Sequence, residues 1–437
     1  MRRHALDVFD GAVCVGSLGY EPLEAALAFT YDPHWLELPE SYAISPHIPM
    51  LGQPATSSTV RRFLDNLLPE GRALDIASAT HQVSKNDVYG LICELGQETA
   101  GALAFVPRNA LPMCSSASQR EISREELRHR ISERAHIPWM AGNGRRMSIA
   151  EHQDELPVHL GHGRLYLADG ERASTHRLKP ESSDARLPML AANEHFSMCL
   201  ARRLGLLVAP ASILRLPDPV LLVERFDRVY EAGRVRRLHV IDACQALDLP
   251  VSYKYERNVG SGSNVRQIRD GASFPRLFSM VEYTVQKAAT RLALLRWALF
   301  NYLIGNCDAH GKNVSFFCRH TGLWLAPFFD LVSIAPYDRL DHELAMAYGD
   351  GFLLEEITPF QWASFAHSIG IPRTLLAREM RRMSKAALAA APLQASEAVY
   401  VGEEKAFVAK ISAFVQEQAT KLAEMAMPMT KSVTRFP

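Results

Sequence analysis

The chain opens on short apolar runs separated by turn residues. Ala5-Leu6-Asp7-Val8-Phe9 and Ala12-Val13-Cys14-Val15-Gly16 flank Asp10-Gly11, which predicts a β-hairpin with a two-residue turn. Residues 27–31 supply a third strand. Residues 59–68, ended by Pro69, and 87–95, stopped by Gly96, read as helices, and residues 102–106 as a strand before Pro107. Residues 108–118, rich in Pro, Ser and Ala, predict a linker. Ser123-Arg124-Glu125-Glu126 has capping-box spacing and opens a charged helix to about residue 136. Strand patterns follow at 156–160, 164–168 and 176–179, with a turn at Gly161-His162-Gly163. Residues 191–204 predict a helix ended by Gly205, and 221–226 a strand. From about residue 285 the texture is helical: residues 290–304 are apolar nearly all round, as in a buried core helix, and the Ala-rich stretch 385–426 also favours helix. Strands dominate one part and helices the next, which predicts an α+β fold with a cleft between two lobes.

Composition narrows the classes. At 437 residues and 48% hydrophobic, the chain is neither disordered nor fibrous and is long enough for two to three domains. Lys and Arg balance Asp and Glu at 48 each, so bulk electrostatics does not predict a nucleic-acid grip. No apolar run approaches the roughly 18 residues of a membrane span, and Met1-Arg2-Arg3 leads into His4 and Asp7 rather than a signal-peptide core. Seven scattered cysteines without a C-x-x-C pair read as small buried hydrophobes in a reducing compartment, which predicts a cytoplasmic protein without a zinc site or disulfide frame.

The most informative segment is Gly305-Asn306-Cys307-Asp308-Ala309-His310-Gly311-Lys312-Asn313, a polar loop between the apolar helix and the run Val314-Ser315-Phe316-Phe317. Asp308 and Asn313 are five apart, the spacing of the catalytic Asp and the metal-holding Asn in protein kinases. Asp330, after Phe328-Phe329, is a candidate second oxygen ligand for Mg²⁺. Asp and Asn also commonly cap turns, so the spacing by itself leaves both readings standing. Upstream, Ser174-Thr175-His176-Arg177-Leu178-Lys179 ends on a candidate phosphate-binding lysine, which could equally be a solubilising edge residue. Glu194 on the next helix is a candidate partner for Lys179. Asp242 is either a ribose acceptor or a helix N-cap. Gly260-Ser261-Gly262-Ser263-Asn264 lacks the ending of a phosphate loop and reads as a flexible loop; sixteen histidines show no H-E-x-x-H context.

Taken in order, these segments resemble the HipA family of serine/threonine kinases, the toxin halves of bacterial toxin–antitoxin pairs. The resemblance is carried by Phe63-Leu64-Asp65-Asn66-Leu67-Leu68-Pro69-Glu70-Gly71, residues 87–105, residues 174–179, Val223-Glu224-Arg225-Phe226-Asp227-Arg228, Asp242-Ala243-Cys244-Gln245-Ala246, residues 308–313 and Phe328-Phe329-Asp330, nearly the whole chain. It implies a two-lobed protein-kinase-like fold with an additional amino-terminal mixed α/β subdomain: residues 1–107 as that subdomain, 108–244 as the kinase N-lobe and 245–437 as the helical C-lobe. It implies Asp308 as catalytic base, Lys179 on the ATP phosphates, Asn313 and Asp330 on Mg²⁺, Asp242 near the ribose and His310 near the phosphates. Met147-Ser148-Ile149-Ala150 matches the start of the family's autophosphorylated loop, making Ser148 the inhibitory site, where phosphate adds roughly −1.5 to −2 charge. Expected partners are a protein substrate, by analogy a translation factor such as an aminoacyl-tRNA synthetase, and a small helix-turn-helix antitoxin through which alone DNA would be reached.

One stretch departs from the family wording. Glu151 stands where the family has glycine, and Glu155 where it has lysine. Two carboxylates near ATP are expected to repel its phosphates. This keeps a second reading beside the kinase: a catalytically impaired, kinase-fold regulatory or binding protein of a toxin–antitoxin system.

Overall fold

The computed structural model describes residues 4–97, 99–108, 110, 120–133, 155–167, 174–182, 184–216, 218–231, 234–260 and 262–432. The chain is α+β and divides into two compact units, one of residues 1–180, 222–251 and 315–326, the other of residues 181–221, 252–314 and 327–437.

In the first unit the predicted hairpin forms, with strand His4–Asp10 antiparallel to Val13–Glu21 and Gly11 in the left-handed turn position at φ 58°. Ala26–Tyr31 extends the sheet on one side and Leu103–Pro107 closes the other, giving four strands. Gly16 admits no side chain, because a Cβ there would lie 2.3 Å from the Thr30 carbonyl. Val88–Leu95 is the expected helix, capped by Asp87 and burying Val88, Leu91, Ile92 and Leu95 as one stripe. The helix expected over 59–68 spans Ser57–Asp65, because Thr56 caps it two residues earlier. A further helix, Gly71–His81, was not predicted. The linker expected at 108–118 falls almost wholly outside the described residues.

Further along, strands Arg120–Glu121, Arg164–Leu167, Leu156–Gly161 and His176–Pro180 lie side by side in that order, all antiparallel. Val240–Asp242, Ser315–Arg319 and Gly322–Leu325 make a separate three-stranded sheet. Asp227, in the same unit, lies between Arg225 and Arg228, both at 2.7 Å, and accepts from the Gly101 amide. The two guanidinium groups hold its carboxyl far below the usual carboxylate range despite full burial.

Residues 239–249 are stitched to the amino-terminal segment of the same unit. Gln245 Nε2 donates to the Phe63 carbonyl, Asn66 Nδ2 to that of Leu249 and Ser45 Oγ to that of Gln245. His239 meets the Ile44 carbonyl and His47 that of Ala246, at 2.9 and 3.0 Å. Arg62 closes the seam on Asp248.

The second unit is mainly helical: Leu190–Arg203, Lys287–Ile304, Pro359–Ser368, Arg373–Ala395 and Glu403–Lys431. Lys287–Ile304 is the predicted core helix, fully buried from Trp297 to Ile304. Its own Trp297 and Tyr302 pack edge to face and tilted with Phe274, Tyr348, Trp362 and Phe365 in one aromatic cluster. The Ala-rich stretch is two helices rather than one, interrupted before Gly402 at φ 55°. Among the described residues no helix is long and apolar enough to cross a membrane, and Cys14, Cys93, Cys199, Cys244, Cys307 and Cys318 are free thiols.

Candidate active site

The polar loop after the core helix is held by asparagines. Gly305 ends the helix in the left-handed conformation at φ 60°. Asn306 Nδ2 donates to Asn301 Oδ1 at 3.0 Å, and Asn306 Oδ1 accepts from the Asp308 amide at 3.0 Å. The backbone of Asp308 is thereby tied to the helix, while its side chain is 55% exposed. Tyr255 donates its hydroxyl to Asp308 Oδ1, and His310 Nε2 lies 4.0 Å from the same oxygen. Burial pushes the neighbouring Cys307 thiol up to about 12, so it adds no charge beside Asp308.

The next turn joins the remaining candidates. Asn313 is buried; its Oδ1 accepts from the His310 amide at 3.0 Å and its Nδ2 donates to Asp330 Oδ2 at 3.0 Å. Asp330 takes φ 57°, a left-handed backbone in a non-glycine residue that costs about 1–3 kcal/mol and is concentrated at functional sites. The Asp330 carboxylate faces the Asn313 amide nitrogen while the Asn313 oxygen faces the His310 amide; carboxylate and amide oxygens are hard donors of the kind that suits Mg²⁺ completed by water and phosphate oxygens. They do not suit a protein-only metal cage, and no such cluster of His, Cys, Asp or Glu occurs among the described residues. Asp308, His310, Asn313 and Asp330 are thus brought together in the second unit.

The first unit carries the other candidates. Lys179 is the penultimate residue of strand His176–Pro180, whose register sets Leu178 opposite Leu156. One step further along the ladder sets Lys179 opposite Glu155 and leaves Arg177 diagonal to it. Glu155 is 1% exposed and meets Lys179 Nζ at 3.1 Å and Arg177 Nη1 at 3.1 Å. The expected repulsive carboxylate is therefore matched by two cations. Asp242 realises the N-cap reading: its Oδ1 accepts from the Gln245 amide at 2.8 Å and Gln245 Oε1 accepts from the Asp242 amide at 3.1 Å. Glu194 is buried on Leu190–Arg203 in the second unit. Ser148 and Glu151 lie outside the described residues.

Two family models cover most of the chain: the HipA N-terminal domain matches residues 6–106 and the HipA-like C-terminal domain residues 140–391. The chain belongs to the HipA family of serine/threonine kinases. It is 38% identical over 412 residues to the serine/threonine-protein kinase toxin HipA of Shewanella oneidensis, covering 92% of this chain and 93% of that protein. A putative kinase of Sinorhizobium fredii is 32% identical over 82% of this chain and 84% of its own length. Among solved structures, the Shewanella oneidensis complex of HipA, HipB and operator DNA matches with a TM-score of 0.89 at 35% identity, over 98% of this chain and 100% of that one. The kinase-like HipA fold with its amino-terminal subdomain is therefore the fold of this chain.

Residue by residue, the HipA resemblance identified the loop candidates but not everything that holds them. Tyr255 was missed, as was Lys254, whose carbonyl accepts from the Gly311 amide at 2.9 Å. Lys312, within the loop itself, is buried. The alternation Tyr253-Lys254-Tyr255-Glu256 was the one available signal, and it names no target 53 residues away.

Proposed function

We propose that this chain is a HipA-type toxin kinase that transfers the γ-phosphoryl group of ATP to a serine or threonine hydroxyl of another protein. The observation that carries the reading is the loop after the core helix, which fixes the Asp308 amide on Asn306 and, five residues on, joins Asn313 to Asp330 at 3.0 Å. Asp308, exposed and fixed through its amide, serves as the base that accepts the proton of an incoming hydroxyl. Asn313 and Asp330 offer the oxygen pair for Mg²⁺, which when bound offsets phosphate charge. Lys179 supplies a cation to the ATP phosphates, His310 lies near them, and Asp242 lies beside the ribose. Ser148 is the autophosphorylation site that switches the enzyme off.

The same reading takes residues 1–107 as the amino-terminal subdomain, 108–244 as the N-lobe and 245–437 as the C-lobe of a cytoplasmic enzyme. Its protein substrate is a translation factor such as an aminoacyl-tRNA synthetase. Its partner is a small helix-turn-helix antitoxin, a proposal supported by the HipB and operator DNA in the Shewanella oneidensis complex, with DNA reached only through that partner.

Radiolabelled ATP turnover and protein labelling in wild type and Asp308→Asn test the proposal. Loss of transfer in the variant is expected; equal transfer by both proteins overturns it. The engagement of Lys179 by Glu155 favours a second reading, a kinase-fold binding protein with impaired turnover. Calorimetry separates them: absence of Mg-ATP binding at millimolar nucleotide supports the second, and binding with transfer removes it.

A further inference from the structure

A hydroxyl already rests on the proposed base. The phenol of Tyr255 donates to Asp308 Oδ1, the contact an acceptor serine must make before it loses its proton. The phenol is held there from two directions. Its ring packs edge-on against His310, with centroids 5.1 Å apart and planes at 88°, and the preceding carbonyl, of Lys254, is bonded to the Gly311 amide. Asp308 is in turn fixed by Asn306.

We infer that Tyr255 occupies the acceptor-hydroxyl position on Asp308 Oδ1 and acts as a positioning residue, keeping water off that one oxygen until a protein hydroxyl displaces it. The inference rests on the kinase reading and deepens it. With the position open, a water oxygen would bond to the γ-phosphorus as the bridge to the β-phosphate breaks. ADP would leave, and the water proton would pass to Asp308. A hydrogen bond to an ionised carboxylate stabilises by enough to make its loss worth about tenfold in occupancy by a competing hydroxyl. A protein segment recovers that factor from contacts elsewhere along its length, whereas water does not, so the phenol discriminates between them.

The test is hydrolysis of Mg-ATP with no protein acceptor present. In Tyr255→Phe, which keeps the ring on His310, kcat for phosphate release is expected to rise about tenfold with KM for ATP unchanged. A second variant, Tyr255→Leu, should rise likewise, and adding Asp308→Asn to either should abolish the rise. Hydrolysis that stays unchanged or falls in folded Tyr255→Phe overturns the inference. A merely structural tyrosine would lower kcat, raise KM, or both. Calorimetric Mg-ATP binding by the wild type is measured alongside. If the wild type binds and turns over ATP while Tyr255→Phe behaves identically, only this inference fails; if the wild type neither binds nor hydrolyses ATP, the kinase reading fails with it.

Discussion

Asn313 donates to Asp330 at 3.0 Å across a separation of 17 residues, joining the end of the polar loop to a residue held in left-handed backbone. Each constrains the other: the amide orients the carboxylate, and the carboxylate keeps the amide oxygen turned to the His310 amide. Replacing Asp330 by Asn leaves the backbone tolerable, since asparagine enters the left-handed region readily, but removes the charge. Phosphoryl transfer should fall on the order of 10²–10³-fold, with a higher Mg²⁺ concentration at half-maximal rate. A Mg²⁺ titration of labelled-phosphate transfer, with thermal unfolding as control, measures both.

Glu155 separates two cations that would otherwise face each other. In Glu155→Gln, Lys179 and Arg177 lose their buried counter-ion, and breaking such a pair costs about 3–5 kcal/mol of stability. The same change frees positive charge for an anionic ligand, so Mg-ATP should bind more tightly. Urea denaturation and calorimetry report the two effects, which have opposite signs.

His195 predicts an acid-sensitive second unit. It is buried on Leu190–Arg203, meets the Tyr400 hydroxyl at 3.0 Å, and burial pulls its pKa down to about 4 from 6.5. Below pH 6.5 the unfolded chain gains a proton that the folded chain refuses until about pH 4. The contribution is therefore complete above pH 6.5 and lost as pH falls through that window, by up to about 3 kcal/mol. In His195→Gln the urea midpoint should fall less steeply between pH 6.5 and 4 than in the wild type.

Gly305 joins the core helix to the polar loop at φ 60°, and a Cβ there would lie 2.9 Å from the Phe414 ring. Gly305→Ala should cost about 1–3 kcal/mol and displace the loop, lowering kcat more than it alters KM for ATP. Thermal unfolding and steady-state kinetics check it together.

Local order was largely readable from local pattern. The Asp10-Gly11 hairpin, the helix capped by Asp87 and the apolar helix before residue 305 all follow from signals within a few residues of the element. Gly71–His81 starts on a glycine just after Pro69 and lacks a side-chain cap, so nothing local announces it. At the site, Asp308, His310 and Asn313 share one loop and were visible together. Tyr255 was not, because its partner is chosen by the fold. Glu155 was read by its charge alone; the strand register that sets it opposite Lys179 is a tertiary fact, and it sets the carboxylate against two cations.

The seam between residues 239–249 and the amino-terminal segment has a consequence for how such chains diverge. Ser45, His47, Asn66, His239 and Gln245 each reach a main-chain carbonyl, never a matching side chain. A carbonyl survives any substitution at its own residue. Drift at positions 44, 63, 246 and 249 is therefore restrained by packing but not by a paired chemical change, whereas Arg62 and Asp248 must change together. Grafting the amino-terminal segment of one relative onto another should then succeed where those reaching side chains and the Arg62–Asp248 pair are kept, even if the residues opposite the carbonyl contacts differ.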